Sequence, residues 1–185
     1  KFNVVYAGNL GYAQNVDIII EVASSLQEYN DIQFIIFGTG GLELEYKKLV
    51  HDLKISNVQF FPIQPYEKVS CVYGIGNVCV VSCKEGLGGS AMPSKTWSIM
   101  SSGRAVLANF DEGELKKILE SNQCGVFTKA GDKEAFKQAI LDLYHDKERC
   151  ERYGCNGREF ILQNLTRDVG TQKYVDVIKI FDEHK

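Results

Sequence analysis

Apolar residues recur along this chain in two alternating rhythms. NVVYAG (3–8) is a short, nearly unbroken apolar run closed by a glycine, which is the pattern of a buried strand. From Val16 to Tyr29 the spacing changes, and apolar residues at 16, 19, 20, 23 and 26 share one helical face. The pair then repeats. IQFIIFG (32–38) leads through a glycine turn into a helix of about a dozen residues with Leu42, Tyr46, Leu49, Val50 and Leu53 on one side. VQFFP (58–62) and PYEKVSCVYGI (65–75) form a third unit, in which Pro65 reads as a helix start. NVCVVS (77–82), a glycine-rich loop and SKTWSIMSSG (94–103) form a fourth. RAVLAN (104–109) with Glu114 to Ser121 gives a fifth, and CGVFTKA (124–130) with Lys133 to Tyr144 a sixth. Gly131-Asp132 supplies the turn and N-cap inside that last pair. From Asp146 to the end only helical spacing remains.

Continuous apolar strands joined one to the next through helices predict a parallel sheet covered on both faces. The expected fold is a doubly wound α/β domain spanning residues 1–185 with a helical C-terminal tail. In such open sheets ligands bind outside the carboxyl ends of the strands. That singles out the loops at 8–15, 38–41, 62–65, 83–93 and 109–113.

Composition narrows the classes. A net charge of −3 with both signs interspersed favours neither nucleic-acid binding nor a polybasic membrane anchor. Six cysteines, at 71, 79, 83, 124, 150 and 155, stand singly with no CxxC pair or histidine at metal-ligand spacing, so buried reduced thiols are expected. No apolar run reaches the roughly 20 residues of a membrane span, and no signal peptide is evident. A cytoplasmic protein is expected, and Asn164-Leu165-Thr166 then has no use as a glycosylation acceptor. The opening at Lys1, directly before a strand-like run, is what a segment of a longer protein would show.

Three of the selected loops are rich in glycine. In GNLGYAQN (8–15), Gly8 and Gly11 let the backbone approach a ligand, with Asn9 and Gln14 beside them. The helix beginning near Asn15 points free N–H groups toward it, although a plain βα turn capped by Asn or Gln reads equally well. FGTGG (37–41) offers Gly38 and Gly40 but lacks the third glycine of a dinucleotide fingerprint, since position 43 is Glu. The stretch CKEGLGGSAMPSK (83–95) is the most informative. Gly86, Gly88 and Gly89 give the loop freedom to wrap a ligand, Ser94 can cap the following helix, and Lys95 sits in its first turn. A lysine there opposes the helix dipole unless an anion is shared by both, which points to a phosphate. Glu85 would repel that phosphate but could accept hydrogen bonds from hydroxyls farther along the ligand. Phosphate at one end and hydroxyls at the other describe a nucleotide-sugar. His51, His145 and His184 read as solvated surface, Trp97, Phe34, Phe37, Phe60 and Phe61 as core, and HDKERCER (145–152) as an exposed helix face.

YAGNLGYAQN, IQFIIFGTGG, VQFFPIQP, VCVVS with its glycine loop, MPSKTWSIMSSGRAVLAN and CGVF, in that order, resemble the C-terminal half of GT-B glycosyltransferases of family 4. The subgroup they look most similar to is that of bacterial fucosamine transferases of surface-polysaccharide assembly. The resemblance implies a Rossmann-like donor domain, with the acceptor held by an N-terminal domain onto which the tail at 168–185 would pack. It implies transfer with retention from a nucleotide-sugar, foremost a UDP-sugar, to a sugar or lipid-linked saccharide acceptor, with no cofactor and no metal required. Such a protein would work in the cytoplasm or at the inner face of the membrane, and a donor half alone would be inactive. By the resemblance Glu85 and Lys95 are the catalytic pair. Gly8, Asn9, Gly11, Gln14, Gly38, Gly40, Ile63, Gly88, Gly89, Ser94 and Ser98 would bind the donor. Two positions depart from the family pattern. The second of two glutamates common in the family falls on Ser98, thirteen residues after Glu85, and the basic pair after the first strand falls near Gln14 and Asn15. A sugar-nucleotide epimerase of the same architecture, or a non-catalytic nucleotide- or partner-binding half, stays open beside the transferase reading.

Overall fold

In the computed structural model, which describes residues 1–89 and 91–182, six strands alternate with helices as the hydrophobic pattern predicts. They are β1 (Phe2–Asn9), α1 (Val16–Ser25), β2 (Ile32–Thr39), α2 (Glu43–Asp52), β3 (Val58–Phe61), α3 (Val69–Gly74), β4 (Val78–Ser82), α4 (Ser94–Ser101), β5 (Ala105–Phe110), α5 (Glu114–Ser121) and β6 (Gly125–Lys129), with α6 (Lys133–His145), α7 (Lys147–Asn164) and α8 (Arg167–Asp182) completing the chain. His184, expected on the surface, lies outside the described residues.

The strands form one parallel sheet in the order β3-β2-β1-β4-β5-β6. Alternation along each strand divides the core in two. Phe2, Val4 and Tyr6 of β1 pack with Phe34, Ile36, α1 and α6 on one face. Val5 packs with Ile35, Cys79, Val81 and residues of α3, α4 and α5 on the other. Burial of each such side chain contributes about 1.5 to 3 kcal/mol, so a strand carrying apolar groups on both sides belongs in the middle of the sheet. β4, whose five residues are all buried, lies there.

Several boundaries and exposures differ from expectation. The first helix stops at Ser25 because the chain turns back, Leu26 N–H bonding Ala23 O and Tyr29 N–H bonding Leu26 O. Phe61 is 40% exposed, because β3 is an edge strand that pairs only with β2; it stacks on Phe37 with ring centroids 5.1 Å apart. Cys71 and Cys155 are exposed, whereas the other four thiols are buried. Asp132 caps α6 as expected, accepting from Ala135 N–H at 2.9 Å.

The sheet order reverses between β1 and β4, whose successor helices run on opposite faces. That switch point opens a crevice at the carboxyl ends of the two strands, bounded by the loop after β1 and the start of α4.

Candidate functional site

Gly8, one residue before the end of β1, has a φ of +155°. A Cβ built there would stand 2.7 Å from Lys95 Nζ and 3.3 Å from the Tyr6 hydroxyl. Glycine is therefore required if the ammonium is to lie against the strand end. Lys95 reaches this point from the first turn of α4, where Pro93 is the N-cap in an extended conformation and no side chain caps the helix. Ser94, the expected cap, is instead the first helical residue, because the extended Pro93 takes the position before it.

The Lys95 side chain is half-buried as a whole, but its Nζ is closed off from solvent and has no hydrogen-bond partner among the described residues. It lies 4.1 Å above the centre of the Tyr6 ring, a cation–π contact that recovers part of the lost hydration. Burial pulls its pKa down to about 8. Tyr6, itself held neutral by burial, donates from its hydroxyl to Asn9 O at 2.7 Å and so fixes the loop after β1. A buried cation without a counter-charge is costly, and here it faces a cavity of about 400 Å³.

Gly8, Gln64, Ser94, Lys95 and Ser98 supply the polar part of that cavity's lining, and Phe37, Ile63, Val72 and Tyr73 the apolar part. The Tyr73 hydroxyl leans on Ala7 O at 3.5 Å. Of the residues expected to bind a donor, the fold thus brings Gly8, Ile63, Ser94, Lys95 and Ser98 together. Others have different work. A Cβ at Gly38 would collide with the carbonyl oxygen of Gly8, and one at Gly40 would stand 2.5 Å from Asn9 Oδ1 and Leu10 O. Both glycines therefore permit close packing beside the loop without lining the cavity. Asn9 and Gln14 bind each other at 3.3 Å across Gly11, and neither Gln14 nor Asn15 caps α1 with its side chain.

The glycine loop after β4 is held in place. Asp111, just beyond β5, accepts from Gly86 N–H at 3.0 Å and from Gly88 N–H at 2.8 Å. The Gly88 amide is thereby turned to Asp111, and a Cβ at 88 would press on Cys83 and the Phe110 ring at 2.6 Å. Space around Gly89 is open. Glu85 lies in a second cavity of about 350 Å³, with Tyr12, Asn15, Lys84, Leu87 and Gly131. Its carboxylate pairs with Lys129 at 3.1 Å, and Lys84 beside it pairs loosely with Asp17 at 3.7 Å and sits 4.3 Å over the Tyr12 ring. Lys84 N–H also bonds Ala13 O, tying the two glycine loops together.

The sequence profile of the family described as glycosyl transferases group 1 matches residues 1–160. The chain belongs to that family. A putative colanic acid biosynthesis glycosyl transferase of Escherichia coli K12, WcaI, is 30% identical over 119 residues, which are 64% of this chain and 29% of that protein. Across four curated relatives the chain spans 29% to 45% of their length. Among solved structures, an S. aureus TarM variant in complex with UDP superposes with a TM-score of 0.80 at 20% identity, covering 94% of this chain and 34% of that one. The C-terminal domain of a group 1 family glycosyl transferase from Francisella tularensis, LpcC, gives 0.75 at 18% identity, covering 90% and 87%. At these identities the structural likeness establishes the GT-B type of fold.

For a member of this family, sequence reasoning located the lysine and missed what surrounds it. Tyr6 reads as one more apolar strand residue, and only the fold places its ring under Lys95 Nζ. Asp111 has main-chain partners, which leave no mark in a sequence. Lys84 is next to Glu85 in the chain, but its place over Tyr12 follows from the pairing of the two loops.

Proposed function

We propose that this chain is the C-terminal, donor-binding half of a retaining glycosyltransferase that transfers a sugar from a nucleotide-sugar, foremost a UDP-sugar, to a saccharide or lipid-linked acceptor in bacterial surface-polysaccharide assembly. The observation that carries the reading is Lys95. A buried, unpartnered ammonium sits in the first turn of a helix at the switch point of a parallel sheet, where helix amides and lysine can share one anion. A nucleoside diphosphate fits the cavity's two sides. Its base would lie against Phe37 and the Ile63–Gln64 segment, and its diphosphate would meet Lys95 and the open backbone at Gly8.

In transfer the bond between the sugar and the terminal phosphate breaks, and charge builds on the departing diphosphate. Lys95 and the α4 amides stabilise that charge without a metal being needed, and one such preorganised donor is worth about 2.7 to 4 kcal/mol. Glu85, in the neighbouring cavity, would take the sugar hydroxyls once released from Lys129. The UDP held by the TarM variant in its complex, and the match to a solved C-terminal domain over nearly its whole length, support the choice of nucleotide and of half. The acceptor would be held by an N-terminal half, so these 185 residues alone are expected to transfer no sugar.

Isothermal titration with UDP, GDP and ADP, repeated on Lys95→Ala, tests the site. Binding of one nucleotide in the micromolar to low-millimolar range, weakened by the substitution, is expected; equal binding by both proteins would refute the role of Lys95. On the full-length protein a glycoside product separates transfer from epimerisation or hydrolysis.

A further inference from the structure

Beyond Tyr66 a second depression of about 470 Å³ runs between α3 and α4. It shares Tyr66, Val69 and Ser98 with the lysine-bearing cavity, so the two are continuous. Its remaining walls differ in chemistry. Glu67 and Ser70 line one side, and Trp97, Ser101 and Ser102 the other. The lining holds no lysine or arginine among the described residues, and the one charge is a carboxylate, so an anionic ligand is disfavoured. Two aromatic side chains stand in it, Tyr66 at 87% exposure and Trp97 half-buried. Phe160 of α7 stacks near-parallel to Trp97, with centroids 6.4 Å apart, and braces the indole from outside the groove.

Flat aromatic faces accept the C–H faces of pyranose rings, and a carboxylate with several hydroxyls pairs with ring hydroxyls that are donors and acceptors at once. A purely apolar partner would leave the Glu67 carboxylate and the Ser70 and Ser101 hydroxyls without partners on burial. We infer that the α3–α4 groove binds a neutral saccharide chain. The groove opens from the nucleotide cavity along Tyr66, Val69 and Ser98, and its use in gripping a stretch of the acceptor glycan away from the reacting end, which the N-terminal half would hold, rests on the proposed transferase function.

Trp97 is the sole tryptophan, so its fluorescence reports on this wall alone. The chain is titrated with maltohexaose, cellohexaose and chitohexaose, and in parallel with UDP by calorimetry. At least one saccharide should shift the Trp97 emission with millimolar affinity. Combined Glu67→Gln and Ser101→Ala substitutions, at exposed positions whose loss leaves the fold intact, should weaken that binding by about tenfold, as expected for two lost hydrogen bonds. Lys95→Ala should leave the saccharide titration unchanged. The inference fails if none of the three changes the emission, if the change survives the double substitution, or if UDP produces it equally in Lys95→Ala. Saccharide binding without UDP binding would uphold the groove while overturning the nucleotide reading.

Discussion

Lys84 and Lys95 both stand at the carboxyl end of the sheet, eleven residues apart in one loop-and-helix segment, and the fold treats them in opposite ways. Lys84 is about one-third exposed, paired with Asp17 and seated over Tyr12. Lys95 also lies over a tyrosine ring, that of Tyr6, but its Nζ is buried, has no hydrogen-bond or ion-pair partner among the described residues, and has a lowered pKa. A charge that is already answered contributes little to stability or recognition at a surface. One that is left unanswered in a closed place costs stability, and perturbed groups of this kind cluster at functional sites. In the proposed function the anion therefore belongs to Lys95, and the cavity holding Glu85 is left to neutral groups.

The largest effect expected is on nucleotide affinity. Hydrogen bonds to a charged group contribute about 1.5 to 3 kcal/mol, so Lys95→Ala should weaken UDP binding roughly 10- to 100-fold, while Lys84→Ala should change it by less than about threefold. Calorimetric titration of both variants checks this. Equal losses would erase the distinction between the two lysines.

A smaller effect follows from the pKa of about 8 at Lys95. The diphosphate needs the protonated amine, so above that pH binding must first take up a proton. UDP affinity should be flat from about pH 7 to 8, below which the terminal phosphate of UDP itself begins to protonate, and fall toward tenfold per unit above pH 8. Titration at pH 9 in buffers of different ionisation enthalpy should show uptake of nearly one proton per UDP. The same shift has a converse in stability. Without ligand the folded state disfavours the ammonium, so its destabilising effect is full below pH 8 and is relieved as pH rises toward the unfolded value near 10.5. Lys95→Met should therefore stabilise the free chain by roughly 1 kcal/mol at pH 7, with the gap closing from pH 8 upward. A thermal melt in which Lys95→Met is less stable than the parent would mean that the amine is well solvated or paired.

How far the sequence anticipates this contrast depends on what kind of partner each residue has. The strands are legible because β1, β2, β4 and β5 are buried on both faces and their apolar runs are nearly unbroken. The exposure of Phe61 is not, since a run of five letters does not say that β3 is an edge. Lys95 is legible through local physics, because a lysine in a first turn after a glycine loop already conflicts with the helix dipole. Its lack of a partner is invisible, as it depends on what β1 brings from far upstream in the chain. The glycine loop reads as free, and only the contact of Asp111 with Gly86 and Gly88 amides shows that it is folded before any ligand arrives. Gly38 and Gly40 read in sequence as donor-binding glycines, yet the distances at Gly8 O, Asn9 and Leu10 give them a packing role.

The smallest effect expected is the most discriminating between the two cavities. Glu85 and Lys129 are both about two-thirds exposed, with side-chain exposures of 67% and 63%, and such a pair contributes little to stability. Glu85→Gln should leave stability and UDP affinity within about twofold of the parent, because in the proposed binding mode UDP carries nothing into the cavity where Glu85 lies. A UDP-sugar does. If the sugar hydroxyls draw the carboxylate away from Lys129, the same substitution should weaken UDP-glucose binding several-fold more than UDP binding, the difference being one or two hydrogen bonds to a charged acceptor. Paired titrations with the two ligands read that difference directly, and the weak native pairing predicts that Lys129→Ala shifts it the other way by freeing the carboxylate. Were Glu85→Gln to weaken UDP as strongly as Lys95→Ala does, the carboxylate would be holding the nucleotide, and the division of labour between an unpartnered lysine and a pre-paired glutamate would not describe this site.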